Sequence, residues 1–219
     1  MSAALAVSDI RHEVSDGNAV KRTLSPFTRR FESGAFHVFG GPSGAGKTTL
    51  LSLLSLAVPA AGGRIFHGGS ELTALSAREA GNWRRLHLGM VFQTTRLVAI
   101  MTAEEHIALA SRLRPHSPGA FEKGMALLFT LGLGEQLQQL PGQLSGGEKQ
   151  RIALAQALCF APSIVLCDEP TAALDAANAR LIGEILADYA RDQDAVVICA
   201  SHDRALHELA DHSFDLERP

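Results

Sequence analysis

Over the first third of the chain, apolar and polar residues alternate in short runs at Ala4 to Ile10, Val20 to Ser25 and Phe27 to Phe31, with turn residues Asp16-Gly17-Asn18 between the first two. A period of two places alternate side chains on one face of a strand, so these runs predict an antiparallel hairpin. Ala35 to Gly40 predicts a buried strand running into glycines. Thr48 to Ala57 predicts a helix that ends before Pro59, since the residue preceding a proline is driven out of helical conformation. Arg64 to His67, before Gly68-Gly69, is a further short strand, and Arg84 to Phe92 returns the chain to the core through Gly89-Met90-Val91-Phe92. From Thr102 to Leu133 the spacing turns helical, at Ala103, Ile107, Leu109, Ala110 and Leu113, then at Met125, Leu127, Leu128 and Leu131 after a break containing Pro and Gly. This stretch is a helical insertion. A helix from Gly147 to Phe160, a strand from Ile164 to Cys167, a helix near Ala177 to Ala190 and a strand from Ala195 to Ala200 complete an α/β alternation, with no internal repeat.

A chain of 219 residues makes one large domain, or a domain with a subdomain, and can bury a sizeable core. The longest weakly polar run, Ile152 to Cys167, is interrupted by Gln156, Pro162 and Ser163, so no bilayer-spanning segment is expected. Met1 to Ile10 lacks the succession of a secretory signal and reads as the start of a fold, which predicts a cytosolic chain. Cys159, Cys167 and Cys199 lie in apolar runs without CxxC spacing and are expected as reduced core thiols. A net charge of −3 with dispersed basic residues gives no electrostatic case for nucleic acid; Arg29-Arg30 and Arg84-Arg85 are expected as solvated pairs. His202, His207 and His212 recur every five residues, which rotates them off one helix face, so no protein metal site is expected there.

Chemistry concentrates in three places. Gly41-Pro42-Ser43-Gly44-Ala45-Gly46-Lys47-Thr48 fits G-x-x-x-x-G-K-[ST] between a predicted strand and a predicted helix. Its glycines let backbone N–H groups curl around phosphate oxygens and the helix terminus adds partial positive charge. Lys47 then reaches the β- and γ-phosphates, Thr48 can ligate Mg²⁺, and Thr49 offers a further phosphate contact. Ile164 to Cys167 delivers Asp168 and Glu169 at a strand's carboxyl end, where ligands of open α/β sheets bind. Neighbouring strand residues point opposite ways, which assigns Asp168 to the Mg²⁺ shell and Glu169 to the attacking water as base. In Leu144 to Arg151, Ser145-x-x-Glu148 is a capping box, and Gly146-Gly147 exposes N–H groups at a helix start as a second anion site.

In this order the three elements resemble the nucleotide-binding domain of ATP-binding-cassette (ABC) proteins over nearly the whole chain. The compact length and the spacing from Gln93 to the 144–151 stretch, which resembles the family's signature motif, are most like the lipoprotein-release and macrolide-export type. The resemblance implies a P-loop NTPase core, a mainly parallel sheet flanked by helices. An N-terminal antiparallel β subdomain and an inserted α-helical subdomain complete it, with the core and β subdomain near 1–93 and 161–219 and the helical part near 94–160. It implies that Ser145, Gly146 and Gly147 act in trans on the γ-phosphate held by a partner's P-loop. Gln93 resembles the Q-loop glutamine that senses Mg²⁺. Asp175, in Ala173-Leu174-Asp175, resembles the D-loop that crosses the dimer interface, and His202 the switch histidine on the γ-phosphate.

The implied activity is hydrolysis of ATP with Mg²⁺ in a homodimer or heterodimer, coupled to a separate integral-membrane permease from the cytoplasmic face. A rival reading is a mechanical module of the cell-division type that signals through a membrane partner without moving solute. Two departures stand out: no aromatic residue precedes Phe27, where family members stack a ring on adenine and this chain offers His12 or Val14. Ala172-Ala173 replaces the usual Gly-Asn before Leu-Asp.

Overall fold

The computed structural model describes residues 4–16, 19–113 and 117–219. The predicted turn residues Gly17-Asn18, with Met1 to Ala3 and Pro115, lie outside them. The alternating runs form two long strands, β1 (Leu5–Asp16) and β2 (Ala19–Phe31), where three short runs are predicted. Register shifts between Val7 and Ile10, Ile10 and His12, and His12 and Glu13 interrupt the alternation, which is why the pattern reads as separate pieces. With β4 (Gly62–His67) and β5 (Ser70–Glu71) they make an antiparallel sheet of order β2-β1-β4-β5.

The second sheet is parallel, in the order β6-β7-β8-β3-β9, from β3 (Ala35–Gly40), β6 (Leu88–Val91), β7 (Ile164–Asp168), β8 (Val196–Ala200) and β9 (His212–Asp215). Every residue of β3, β7 and β8 is buried, because both faces are covered. The strand period splits their side chains between two cores. Phe36, Val38, Val165, Cys167, Val197 and Cys199 face the core shared with α3 (Ala103–Arg112), α4 (Ala120–Thr130), α5 (Gly146–Leu158) and α6 (Ala176–Asp192). Phe39, Ile164, Leu166, Val196, Ile198 and Ala200 face α1 (Lys47–Leu54) and the antiparallel sheet, where Leu50, Leu54, Ile10 and Phe31 are fully buried. All three cysteines are buried free thiols.

The differences from the predicted elements have local causes. Helix α1 stops at Leu54 rather than Ala57, since Leu56 turns left-handed (φ 54°) while its side chain stays against the core. Helix α2 (Ala77–His87) was not predicted: only Ala80 and Trp83 are buried, so its apolar stripe is too sparse to show a period. Its Ser76–Glu79 capping box is nevertheless plain in the sequence. Arg84 sits in its last turn, half-buried, and donates to the Leu56 carbonyl at 2.7 Å, so it is no solvated cation. Nor is Arg29, whose guanidinium lies 3.8 Å over the Phe214 ring. Helix α7 (Arg204–Leu209) and β9 extend the sheet beyond the last predicted strand. Among the described residues no helix is long and apolar enough to cross a membrane.

Candidate functional site

A cleft of about 740 Å³ opens at the carboxyl ends of β3, β7 and β8. Its floor is the loop from Ser43 to Gly46. Gly46 has φ +92°, and a Cβ there would stand 2.6 Å from the Thr23 carbonyl oxygen, so only glycine lets the loop enter the helix against β2. Side chains cap α2, α3, α5 and α6, but α1 opens without a side-chain cap or an acidic first turn. Its first N–H groups therefore face the cleft with their partial positive charge. Ser43, Gly44, Ala45, Lys47 and Thr49 line the cleft with them. Gly41 and Pro42 lie behind and hold Lys47, whose Nζ donates to the Gly41 carbonyl at 2.7 Å and the Pro42 carbonyl at 3.4 Å.

Thr48 Oγ1 donates to Asp168 Oδ2 at 3.0 Å. Burial pushes the Asp168 carboxyl pKa up, opposed by the Thr48 bond and the Lys47 charge. Glu169 does not continue the strand. It is left-handed (φ 46°), with its N–H on the Ala200 carbonyl at 2.9 Å, and this turn brings its carboxylate into the cleft beside Asp168. Strand alternation would have sent it to the other face, so the expectation that the two carboxylates point opposite ways is corrected: the left-handed turn puts both on the same cleft. Glu169 Oε2 accepts from the His202 N–H at 3.3 Å and from Ser201 Oγ at 3.5 Å, while Oε1 lies 3.7 Å from His202 Nε2. The carboxylate is 16% exposed and the His202 side chain 60%, so the acid sits in the cleft wall and the imidazole on the rim. His207 and His212 point elsewhere: His207 Nδ1 lies 2.7 Å from Ser213 Oγ, and His212 stacks on His37 at 4.8 Å.

Gln93, just past β6, lines the same cleft. A residue that the sequence reading missed holds its neighbours: buried Gln150 of α5 donates to the Phe92 carbonyl at 3.2 Å and accepts from Thr95 Oγ1. Its signal was a polar side chain on the core-facing stripe of α5. Lys21, Arg22, Thr23 and Arg218 also line the cleft and were likewise missed. His12 and Val14 do not line it; His12 Nδ1 lies 2.7 Å from Thr23 Oγ1 and Val14 is 46% exposed.

The structure sets Ser145, Gly146, Gly147 and Asp175 apart from this cleft and beside one another. Ser145 caps α5, exchanging bonds with Glu148, whose carboxyl pKa these bonds hold below the usual range. Asp175 caps α6 by accepting from the Asn178 N–H at 2.8 Å, and Arg151 of α5 donates to Asn178 Oδ1 at 2.6 Å, tying the two helix starts together. A Cβ at Gly147 would lie 2.8 Å from Leu174 Cδ2, so the second glycine is what admits the 173–175 loop. Gly146 has only an ordinary contact there and stays exposed with Ser145.

A hydroxyl and a carboxylate oxygen 3.0 Å apart, with a glutamine on the same cleft, form the hard-oxygen donor set that suits Mg²⁺, an ion that takes few protein ligands and completes its shell with phosphate and water. The residues fit that ion.

A sequence profile of the ABC transporter family matches residues 24–172. An uncharacterised ABC transporter ATP-binding protein of Mycobacterium tuberculosis is 35% identical over 97% of this chain, which spans 64% of that relative's length. The lipoprotein-releasing system ATP-binding protein LolD of Psychrobacter arcticus is 34% identical over 96% of this chain and 94% of its own. Among solved structures, the ATP-binding cassette MJ0796, in a dimeric post-hydrolysis state bound to ADP and Pi, superposes with a TM-score of 0.90 at 26% identity, covering 98% of this chain and 94% of that one. The α/β fold, the order of the motifs and these likenesses agree: the chain belongs to the ABC transporter family and carries its ATP-binding cassette.

Proposed function

We propose that the chain hydrolyses ATP to ADP and phosphate between two facing cassettes, and passes the closing motion to a separate integral-membrane permease from the cytoplasmic side. The observation that carries this reading is the division of phosphate-binding groups. The uncapped start of α1 lies in the cleft, while the Ser145-capped start of α5, with Ser145 and Gly146 exposed, lies outside it. A single copy cannot use both on one nucleotide. Two copies, or one copy and a similar chain, can.

In this reading Lys47 leaves the Gly41 carbonyl for the β- and γ-phosphates, and the N–H groups of 43–49 hold the β-phosphate. Thr48, Asp168 and Gln93 hold Mg²⁺, which when bound neutralises charge on the phosphate oxygens. Glu169 orients a water and takes its proton as the water oxygen bonds to the γ-phosphorus and the bond to the β,γ-bridging oxygen breaks. His202 contacts the γ-phosphate from the rim, and the partner's signature N–H groups cap it. The name of the LolD relative supports transport over a purely mechanical role.

The division into a core (1–93 and 161–219) and a helical part (94–160) lets closure swing Ser145 towards a partner. A groove of about 650 Å³ beside Gln93, edged by exposed Phe92 and Leu113, together with Ile100 at 84% exposure, supplies apolar surface for a permease segment.

The test is Ser145→Arg. Because Ser145 lies outside its own cleft, ATP affinity in the monomer should stay within about twofold, while turnover falls at least about a hundredfold through loss of the trans cap. Parent-like phosphate release in that variant would rule out the composite site.

A further inference from the structure

We infer that the cleft holds its nucleotide through the phosphates and a cationic base subsite with no ring, and so takes guanosine triphosphate as well as adenosine triphosphate. This rests on the reading of the cleft as a nucleoside triphosphate site. Its polarity follows from the lining. Asp168, Glu169 and His202 stand at the hydrolytic end, so the ribose and base must leave over the other walls, which are Lys21 to Thr23 of β2 and Arg218.

A protein tells purines apart by stacking on them or by matching the donors and acceptors of their edges. No Phe, Tyr or Trp lines the cleft among the described residues. Val14, opposite Lys21 in the β1–β2 register, does not line the cleft and is in any case aliphatic. The side chains that remain at that end are mostly cationic. The side chains of Lys21 and Arg218 make no ion pair or hydrogen bond among the described residues, and Arg22 meets Glu13 at 3.5 Å. Arg218 is brought there by the preceding segment, whose Leu216 N–H donates to the Gly40 carbonyl at 3.1 Å, behind the phosphate loop.

Lysine and arginine only donate hydrogen bonds. They match O6 and N7 of guanine, both acceptors, and meet a donor in the N6 amino group of adenine. Four cations, Lys21, Arg22, Lys47 and Arg218, against two carboxylates bias the cleft towards phosphate. The same cations give the base end no means of rejecting guanine.

The experiment is displacement of ribose-labelled ATP by unlabelled ATP and GTP at fixed Mg²⁺, in the parent and in the double variant Lys21→Ala/Arg218→Ala. In the parent GTP should compete within about tenfold of ATP. In the double variant both should weaken, GTP more than ATP by at least about threefold, as the donors that favour its acceptors are gone. An ATP preference well beyond tenfold in the parent, lost in His12→Ala, would overturn the inference and make His12 the base platform. An unchanged ATP-to-GTP ratio in the double variant would overturn it too. These results leave the nucleotide site itself standing, whereas a parent that binds neither triphosphate takes both readings down.

Discussion

Glu169→Gln is expected to bind ATP within about twofold of the parent and to lose about 10²–10⁴ in steady-state phosphate release, the contribution of a positioned general base. The amide keeps the size of the carboxylate and can still accept from the His202 N–H, now 3.3 Å from Glu169 Oε2, so the left-handed turn at 169 is preserved. What it loses is the ability to take a proton. Asp168 is held by Thr48, whose Oγ1 donates to its Oδ2 at 3.0 Å, and belongs in this reading to the Mg²⁺ set rather than to the attacking water. Hydrolysis at the parental rate in this variant would remove Glu169 from the role of base.

Lys47→Ala should weaken ATP binding at least about a hundredfold, or about 2.7 kcal/mol. Hydrogen bonds to charged groups contribute about 1.5–3 kcal/mol each, and the ammonium can make one to each of two phosphates. Its present partners, the Gly41 and Pro42 carbonyls, show that the side chain is already folded over the loop, so little rearrangement is needed to reach a ligand there. The loop should survive the change, because Gly46 and the Ala45 N–H to Pro42 carbonyl bond shape it without Lys47. Titration with labelled ATP measures the effect, and near-normal affinity would exclude Lys47 from the phosphate contact.

What could be read from the sequence was local. The 41–48 loop and the Ser145–Glu148 box each lie within eight residues, and their spacing encodes their geometry, whereas the Asp168-Glu169 pair was legible as two carboxylates at a strand end but not in how Glu169 turns. Buried strands such as Ile164 to Cys167 were legible because burial on both faces leaves a continuous apolar run. What escaped depends on distance or on one backbone angle. Leu56 and Glu169 are ordinary residues held left-handed by their surroundings, and no period reveals that. Gln150 acts through the Phe92 carbonyl, 58 positions away. Lys21, Arg22 and Arg218 reach the cleft only because the antiparallel ribbon and β9 both end beside the phosphate loop, so charge that looked dispersed along the chain is concentrated in space. Helix α2 escaped for the opposite reason, having a clear cap and almost no apolar stripe.

In the proposed function the working site belongs to two chains. Its most direct test is sedimentation of Glu169→Gln with and without saturating ATP and Mg²⁺, because a variant that binds but does not hydrolyse holds the closed state. Glu169→Gln should shift from monomer to dimer with nucleotide, and should not shift when Ser145→Arg is added to the same chain. A protein that remains monomeric at high concentration with ATP bound would contradict a site shared between two copies of this chain.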